Sequence, residues 1–574
     1  MAAPPGRPLW PLRFGILCAS TTLPRWAADA LRHLLACGAA VPALLILDGA
    51  PGRPAHAPGR GAALRAIPFR IYQRLLVEPR CRTRRPVSLE RELAGVPRIV
   101  CAVERRGRLS EPFSADELAA IRSHDLDFIV SFASGVLRGG ILEAARHGVW
   151  SYQHDDERLY RGAPPCFWPL YDGRPTSGAI LQRLTGRLDG GIVLRRGAFK
   201  TRPTYARNVD AVHEGCTRWL ASAAAQIQRG DLDALQEAHS PSDAPIRRAP
   251  GPLELARFFL RQTRRGVALL AGLAFRYDVW HVGLCETSAA ELVGEGLTRP
   301  VRWLPRPGAW RYLADPFVME LPEGPLLLME DYAYRDAKGR ISAVPVGAAA
   351  AAPRVVFEAE EHLSYPFVLR VGERFACVPE CAEGERLRWL EWDAGSGTLV
   401  QRRFLAPLAL ADPTLVEHEG AWFLFGCPPH APQHELWAWH AGSLDGPWTP
   451  HPLNPLKSDV GSARPAGPFF RVGDALYRPA QDCSRSYGGR VVLHRVLRLS
   501  RDAYAEERVR VIEPLPGSGY PHGLHTLSPF SGGVALDARL RRLSLAAPAL
   551  RLHVLLAERR RRRRLAAARE EREP

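Results

Sequence analysis

The apolar pattern of this chain changes once, near residue 250, and that change limits the folds open to it. Before that point, strand-like apolar runs at 13–20 and 41–47 enclose a segment of helical periodicity at 24–37. A strand–helix–strand order predicts a βαβ unit in a parallel sheet with right-handed crossovers. After residue 280, short segments rich in β-branched and aromatic residues recur between Gly, Pro and Asp turns, which is typical of an all-β domain. The sequence therefore predicts two domains of different classes.

The α/β pattern resumes after a basic, loop-rich stretch. Ser114 is followed three residues later by Glu117, which predicts a capping box at a helix N-terminus. Apolar runs at 126–132 and 148–153 predict two further strands, and 141–147 is predicted as a helix between them. These segments extend the predicted parallel sheet, so we expect an α/β, Rossmann-like domain.

The all-β part contains four short segments that resemble one another. They read ADPF at 314–317, YPFV at 365–368, ADPT at 411–414 and RPAG at 464–467. Their spacing is about 50 residues, the length of one four-stranded propeller blade. Five such units would fill 280–544. The sequence therefore predicts a five-bladed, propeller-like domain.

Four segments follow from these patterns. We predict an α/β domain over 10–230, a linker with a basic helix over 231–274, a propeller-like domain over 275–545 and an arginine-rich tail over 546–574. The linker helix is basic and amphipathic, which favours either packing between domains or contact with a membrane surface.

The net charge of +17 is almost entirely due to arginine, since Lys200, Lys338 and Lys457 are the only lysines. Because this charge is spread along the chain, we expect no nucleic-acid partner. One dense block runs from Arg559 to Arg564, and such a run is either a solvated tail or a contact to phosphate or anionic lipid at a membrane. The eleven cysteines include no C-x-x-C and no zinc spacing, so we predict no metal site, free thiols and a cytoplasmic protein.

The stretch 148–194 carries a recognisable set of motifs. It contains the turn Arg161-Gly162, the strand SGAI at 177–180 and the loop LDGGIV at 188–193. In this order they resemble the core of the formyltransferase family, which includes methionyl-tRNA formyltransferase and the sugar N-formyltransferases. The resemblance implies transfer of a formyl group from 10-formyltetrahydrofolate to an amine. It also implies that Arg161 and Gly162 contribute to substrate binding.

The family uses Asn, His and Asp to stabilise the oxyanion and to move the amine proton. Asp189 stands at the aspartate position, although Asp-Gly is also a common turn dipeptide. The chain departs from the pattern at the other two positions, where Ser151 replaces the asparagine and Gln153 replaces the histidine. Ser and Gln donate hydrogen bonds but do not exchange protons near neutral pH. The next residue, His154, is the nearby group that ordinarily titrates in this range, so it is also predicted as catalytic.

Two features bear on the cofactor. Where family members carry an apolar S-L-L-P stretch near the folate, this chain has DDERL at 155–159. The triplet His154-Asp155-Asp156 is also open to interpretation as a metal cluster, without supporting ligand spacing elsewhere. The first βα turn lacks G-x-G-x-x-G, which argues against dinucleotide binding.

The all-β part is similar to the N-terminal domain of glucosamine inositolphosphorylceramide transferases, and through it to five-bladed furanosidase-type glycoside hydrolases. The similarity implies inner-strand aspartates at Asp315 and Asp412, with Glu380 as a candidate acid. Asp-Pro also caps strands, so both aspartates are open to a purely structural interpretation. Arg464 and Gln481 are suited to binding sugar hydroxyls or a phosphate.

Two functions therefore stay open. In the first, the α/β domain formylates the amine of an amino sugar or glycoconjugate that the propeller presents. In the second, the propeller is carbohydrate-active or glycan-binding and carries a degenerate formyltransferase domain.

Overall fold

The structure is a computed structural model. It describes residues 10–49, 60–101, 113–133, 137–187, 190–230, 242–308, 310–348, 350–381, 383–515 and 517–570. The chain divides into two compact units, Met1–Gly266 and Val267–Pro574, which we call unit 1 and unit 2 and describe separately.

Unit 1 contains strands and helices in alternation. Its strands are β1 Leu12–Cys18, β2 Thr22–Pro24, β3 Ala40–Asp48, β4 Pro86–Ser88, β5 Arg98–Cys101, β6 Phe128–Ser131, β7 Val149–Gln153, β8 Arg161–Gly162, β9 Thr176–Arg183, β10 Ile192–Lys200 and β11 Ile246–Arg247. Its helices are α1 Arg25–Ala36, α2 Arg60–Arg65, α3 Ile67–Tyr72, α4 Ala115–Arg122, α5 Trp168–Asp172, α6 Tyr205–Cys216 and α7 Trp219–Gln228. A further helix, α8 Pro252–Phe275, runs across the boundary between the units.

The main sheet of unit 1 has the order β5-β3-β1-β6-β7-β9-β10. The strands from β5 to β7 are parallel, whereas β9 and β10 are antiparallel. Both faces of the parallel part are buried, as expected for crossover helices that cover a sheet. Phe14 and Phe128 stack at 5.4 Å, and Phe128 stacks on Trp150 at 4.1 Å across three neighbouring strands. The predicted α/β class and its βαβ opening are confirmed.

Unit 2 consists almost entirely of strands. They are β12 Arg276–Cys285, β13 Val301–Trp303, β14 Arg311–Leu321, β15 Gly324–Ala333, β16 Lys338–Pro345, β17 Arg354–Phe357, β18 Leu363–Val371, β19 Arg374–Cys381, β20 Leu387–Asp393, β21 Thr398–Ala406, β22 Ala411–His418, β23 Ala421–Cys427, β24 Glu435–Ala441, β25 Thr449–Pro450, β26 Lys457–Asp459, β27 Phe470–Val472, β28 Ala475–Asp482, β29 Arg490–Leu499, β30 Tyr504–Ile512, β31 Leu527–Phe530 and β32 Gly533–Leu543. Its helices are α9 Ala289–Gly294 and α10 Ala547–Glu570.

Unit 2 is propeller-like. Three four-stranded antiparallel sheets follow the chain (β14–β17, β18–β21 and β27–β30), and a fourth, β13-β12-β32-β31, joins the two ends of the unit. Apolar side chains fill the spaces between successive sheets, including Phe317 with Phe367 and Val282 with Leu313. The described residues thus form four separate four-stranded sheets, and the prediction of five such blades is wrong in this respect.

The strands expected for the remaining blade are β22, β23 and β24. They pair in the usual order, but at the edge of β24 two short segments, β25 and β26, stand where one long strand was expected. Prolines at positions 447, 450, 452 and 455 explain this difference, since each lacks the N–H that a sheet ladder needs.

Three of the four predicted openers form a structural repeat, whereas RPAG at 464–467 lies outside the named strands. Asp315, Tyr365 and Asp412 each precede a proline on the first strand of a sheet and adopt φ values of 50°, 44° and 51°. Strand register shifts at the same place in all three strands, as in a β-bulge. Aspartate tolerates this left-handed backbone better than most residues, which explains its use at two of the three positions.

Two outcomes concern the basic segments. The predicted linker helix is present as α8, and the arginines predicted as a tail lie within helix α10. In the part of the chain that the structure describes, none of the helices combines the length and apolar character that crossing a bilayer requires.

Candidate functional site

A cavity of about 330 Å³ opens in unit 1 beyond the carboxyl ends of β6 and β7. In open α/β sheets, ligands bind at this edge. The cavity is lined by Ser131, Ala133, Leu137, Arg138, Ser151, Tyr152, Gln153, His154, Asp155, Gly162, Pro165, Gln182, Leu184, Thr185, Gly186, Arg187 and Gly191. The structure therefore brings together four residues that the sequence singled out: Ser151, Gln153, His154 and Gly162.

Ser151 and Gln153 lie two residues apart on β7, so they share one face of the strand. The side chain of Gln182 on the adjacent strand β9 donates from Nε2 to Oε1 of Gln153 at 3.4 Å. This contact orients the Gln153 amide, because its oxygen is the acceptor and its NH2 group is left for another partner.

His154 follows the end of β7 and packs among aromatic rings. Its ring lies parallel to Tyr152 at 5.8 Å and edge-on to Trp26 at 4.6 Å. Burial, together with the charge of Arg84, lowers the pKa of His154 to about 3. Among the described residues its Nε2 has no hydrogen-bond partner. The imidazole is therefore neutral at pH 7, and the expectation that it titrates near neutrality is wrong.

Asp155 also lines the cavity, and from the sequence it was considered as part of a charged stretch and of a possible metal triplet. Its Oδ1 accepts a hydrogen bond from the Cys166 amide at 3.1 Å. Burial, reinforced by the charge of Asp156, raises the pKa of Asp155 to about 8. The sequence did contain a signal for this raised pKa, since DDERL stands where the family carries an apolar motif. A carboxyl group that replaces an apolar side chain beside a cavity loses contact with water, which raises its pKa.

The metal interpretation of 154–156 finds no support in the contacts of its members. Asp156 is held by Arg158 through hydrogen bonds of 2.9 Å to both carboxylate oxygens. The only group of possible ligands that converges within the described residues lies in unit 2.

The Arg161-Gly162 turn forms β8 and pairs in parallel with β11. Gly162 has φ of 94°, and a Cβ there would approach the Arg247 carbonyl oxygen to 2.2 Å, so only glycine fits. Gly162 reaches the cavity, whereas the Arg161 guanidinium donates to the Ser242 carbonyl at 3.1 Å. A role for Arg161 in binding substrate is therefore indirect.

Asp189 lies outside the described residues. Arg187 and Gly191, two residues before and two residues after it, line the cavity. Gly191 packs against Gln182 so closely that a Cβ would meet its Oε1 at 2.3 Å.

A buried hydrogen-bond chain lies behind the cavity and was missed from sequence. Asp210 accepts from the Thr83 amide at 2.9 Å and from the Thr83 hydroxyl at 2.8 Å, and Nδ1 of His213 lies 2.9 Å from the same hydroxyl. Because the Thr83 hydroxyl donates its proton to Asp210, it can only accept a hydrogen bond from His213. Nδ1 of His213 is therefore the protonated nitrogen of that ring. The His213 ring then lies 4.3 Å from His154. No motif links these positions, which are far apart in the sequence.

In unit 2, four of the predicted residues form one buried cluster. Arg464 binds Asp412 in a bidentate manner, with Nε to Oδ2 at 2.5 Å and Nη2 to Oδ1 at 3.1 Å, and Gln481 donates to the same Oδ2 at 2.8 Å. Glu380 accepts from the Asp412 amide at 2.9 Å. Burial and the charge of Asp412 raise the pKa of Glu380 to about 8.

The fifth predicted residue, Asp315, belongs to a second cluster. Its Oδ1 accepts from the Thr526 hydroxyl at 2.8 Å and lies 3.6 Å from Nε2 of His525, while Nδ1 of His525 contacts Asp537 at 2.6 Å. Burial raises the pKa of Asp315 to about 6 despite the nearby imidazole. Asp315, His525 and Asp537 are close enough to share a metal ion, which the sequence did not predict.

Comparisons with known proteins match different parts of the chain. A family model described as glucosamine inositolphosphorylceramide transferase 1, N-terminal, matches residues 308–516. The rice (Oryza sativa subsp. japonica) glucosamine inositolphosphorylceramide transferase 1 is 32% identical over 219 residues, which are 35% of this chain and 28% of the relative. A methionyl-tRNA formyltransferase from Caulobacter sp. (strain K31) is 28% identical over 213 residues, which are 36% of this chain and 57% of the relative.

The solved structures that match include glycinamide ribonucleotide transformylase 1 from Symbiobacterium toebii, at 14% identity and a TM-score of 0.27, covering 38% of this chain and 89% of that one. The chain spans less than a third of the plant relative and little more than half of the bacterial one. Unit 2 is thus similar over most of its propeller-like part to the N-terminal region of the plant transferases, and the N-terminal region of the chain is similar to a methionyl-tRNA formyltransferase.

Proposed function

We propose that this chain is a transferase in which unit 1 transfers a formyl group from 10-formyltetrahydrofolate to an amine, and that the acceptor is an amino sugar or glycoconjugate recognised by unit 2. One observation carries the proposal. Ser151, Gln153 and Gly162, which occupy positions of the formyltransferase motifs, line one cavity together with Arg187 and Gly191, which lie two residues before and after position 189. The similarity to a methionyl-tRNA formyltransferase supports the same reaction class.

The donor set of the cavity fits the formyl end of such a cofactor. When bound, the cofactor supplies an activated one-carbon group whose carbonyl oxygen gains negative charge during transfer. The Gln153 NH2 group, oriented by Gln182, and the Ser151 hydroxyl are hydrogen-bond donors suited to that oxygen. Leu137, Pro165 and Leu184 supply apolar lining.

Proton movement needs two further groups. We assign removal of the amine proton to Asp189, at the position where the family carries its aspartate. Asp155 holds a proton near neutral pH, and its Oδ2 is the atom that would deliver it to a leaving nitrogen, since Oδ1 accepts from the Cys166 amide. Because His154 is neutral at this pH, its ring forms part of the cavity wall and takes no part in acid–base chemistry.

Calorimetry of the whole chain with 10-formyltetrahydrofolate tests the first step. We expect saturable binding that Gln153→Ala weakens by roughly two- to tenfold, the effect of one lost hydrogen bond between neutral groups. Lys200→Gln changes a residue at the far end of β10 and is the control. Absence of folate binding by the unsubstituted chain would overturn the proposal.

A second function is favoured by the acidic groups of unit 2. The pKa values of Asp315 and Glu380, about 6 and about 8, suit a base and an acid for glycoside chemistry. Asp412 is less suited, because Arg464 already holds both of its oxygens. On this alternative, Asp315→Asn removes activity on a glycan and Asp189→Asn does not. If unit 1 transfers a formyl group, Asp189→Asn removes activity and Asp315→Asn does not. If unit 2 binds a glycan and neither substitution alters turnover, unit 2 is a binding module.

A further inference from the structure

The last part of α8 is an apolar segment that faces solvent. Residues 267–275 read VALLAGLAF and contain no polar or charged side chain. Its exposed large side chains are Val267, Leu269, Leu270, Leu273 and Phe275. Leu270 is 66% exposed. A helix that packs only within its own unit buries its apolar residues. The exposed apolar side chains of this segment therefore indicate a binding surface.

Two other elements of unit 2 continue this apolar area. The Ser544 amide, just after β32, donates to the Phe275 carbonyl oxygen at 2.8 Å, and Leu545 beside it is 87% exposed. Arg551, in the first turns of α10, donates to the Gly272 carbonyl oxygen at 3.5 Å. The end of α8, the end of β32 and the start of α10 therefore meet at one place.

Helix α10 is fixed to unit 2 by one of its faces. Arg561 is buried, with Nη2 at 2.7 Å from Oε1 of Glu383 and Nη1 donating to the Ala337 carbonyl oxygen at 2.6 Å. Nearer the start of the helix, Nε2 of His553 contacts the Arg335 carbonyl oxygen at 2.7 Å. These contacts determine which face of α10 is left exposed.

The exposed face of α10 is apolar at its start and basic further on. Leu552, Leu555 and Leu556 follow one another at helical spacing and are all exposed. Arg559 and Arg563 continue the same face one and two turns later. The exposed arginines of the block are Arg559, Arg560, Arg562, Arg563 and Arg564.

We define the apolar–basic surface as the exposed side chains of 267–275, Leu543, Leu545, the three leucines of α10 and the five exposed arginines. We propose that this surface of unit 2 docks onto a membrane that contains anionic lipids. The aliphatic side chains enter the boundary between headgroups and acyl chains, and the arginines bind lipid phosphates. The proposal does not depend on formyl transfer.

The chemistry of the surface favours an anionic bilayer over other partners. Peripheral membrane attachment requires apolar area and positive charge side by side, and each alone binds weakly. Arginine pairs with phosphate in a bidentate manner, and its long stem leaves the charge at headgroup level while neighbouring leucines are buried. Nucleic acid would engage the arginines but leave the leucines in water. If a second copy of this surface were the partner, the five exposed arginines of one copy would face the five of the other and repel them.

Co-sedimentation of the full-length chain with vesicles tests the proposal. The probes are vesicles of phosphatidylcholine alone and of phosphatidylcholine with about 30% phosphatidylglycerol, an anionic content at which surface arginines contribute measurably. We expect binding to the anionic vesicles, weakened by added salt, and much weaker binding to phosphatidylcholine. A duplex DNA of mixed sequence is the competing probe.

Two pairs of matched variants separate the contributions. Arg560→Gln with Arg563→Gln is expected to weaken binding about thirtyfold, because each surface arginine contributes about fivefold. Arg501→Gln with Arg508→Gln removes the same charge from exposed positions elsewhere in unit 2 and is expected to change little. Leu555→Gln is expected to weaken binding about tenfold. Leu497→Gln, an equally exposed leucine in β29, serves as its control.

Three results would each overturn the proposal. The first is failure of the unsubstituted chain to bind anionic vesicles. The second is equal weakening by the α10 variants and their controls, which would indicate attraction by net charge alone. The third is binding to the duplex DNA that exceeds binding to vesicles and is unaffected by Leu555→Gln.

Discussion

His154 and Asp155 are neighbours in the sequence and in the cavity, and burial moves their pKa values in opposite directions. The pKa of His154 falls to about 3 and that of Asp155 rises to about 8, so both side chains are neutral at pH 7. Burial disfavours whichever form is charged, which for histidine is the protonated form and for aspartate the deprotonated form. The proton-carrying group on this wall of the cavity is therefore the carboxyl group and not the imidazole.

At the residue scale, the sequence shows which side chains share a motif but not which of them are buried. Motif positions predicted that Ser151, Gln153 and Gly162 would meet, and the cavity brings them together. The ordinary pKa of a histidine suggested His154 as the titrating group, because the sequence does not show which side chains lose contact with water. The Asp210–Thr83–His213 chain was unpredictable for a related reason, since a hydrogen bond across 127 residues leaves no local pattern.

Asp155→Asn should change how stability depends on pH. The folded-state pKa of about 8 lies above the ordinary value of 3.8, so the protonated carboxyl stabilises the fold at low pH and that contribution is lost as pH rises from about 4 to about 8. Asparagine mimics the protonated acid and does not titrate. We expect the unsubstituted chain to lose stability relative to Asp155→Asn between pH 5 and pH 8, by up to about 1.4 kcal/mol per pH unit. Urea unfolding at several pH values measures this.

The matched control is Asp156→Asn. The charge and hydrogen bonds of Arg158 lower the pKa of Asp156 below 3.8 despite partial burial, so its contribution is constant from pH 5 upward. Its stability difference from the unsubstituted chain should not vary over this window. If the Asp155→Asn difference is equally flat, Asp155 is ionised in the folded state and the assigned proton donor is wrong.

At the scale of single elements, local repeats were predictable and distant pairings were not. The Asp-Pro and Tyr-Pro openers recur at a fixed position on β14, β18 and β22, so their spacing alone indicated the blades. Six adjacent arginines, in contrast, were interpreted as a solvated tail or as a contact to phosphate or anionic lipid. The sequence does not show that one of them, Arg561, pairs with Glu383 far upstream. A segment predicted as a helix, 141–147, is instead a short 3-10 turn at Gly139–Glu143.

Arg561→Gln should release α10 from unit 2. Arg561 and Glu383 are both about 8% exposed at the side chain, and removal of one partner of a buried ion pair costs about 3–5 kcal/mol. Trypsin cleaves after arginine, and α10 contains many arginines. Limited trypsin digestion of the whole chain therefore measures how readily α10 detaches and becomes accessible. We expect cleavage within α10 to become at least tenfold faster. Arg563→Gln removes an exposed arginine from the same helix and should leave the rate nearly unchanged; equal rates for the two variants would contradict the anchoring role of Arg561.

At the scale of unit 2, the two ends of its chain are joined in one sheet. β12 opens the unit, β32 closes its strands, and the two pair from Arg276 opposite Leu543 to Cys285 opposite Val534. Apolar side chains pack this sheet against β14–β17 on one side and against β27–β30 on the other. Every sheet of the unit is thus stabilised by two neighbouring sheets. Loss of the contacts between two sheets is therefore expected to lower the stability of the other sheets as well.

Asp537 tests this cooperativity because it joins the closing sheet to the first blade. It is fully buried and accepts hydrogen bonds from the backbone amides of Asp315, His525 and Thr526 at 2.8–3.1 Å. Asp537→Ala leaves these three buried donors without their acceptor, at a cost of about 1–3 kcal/mol each. Hydrogen exchange should then show reduced protection in β18–β21, which contain none of the hydrogen-bond donors to Asp537 named above, as well as in β31–β32. Asp502→Ala, which removes an exposed carboxylate bonded to Ser500, should leave protection unchanged. If protection falls in β31–β32 alone, the sheets open independently and closure of the unit does not stabilise the distant blade.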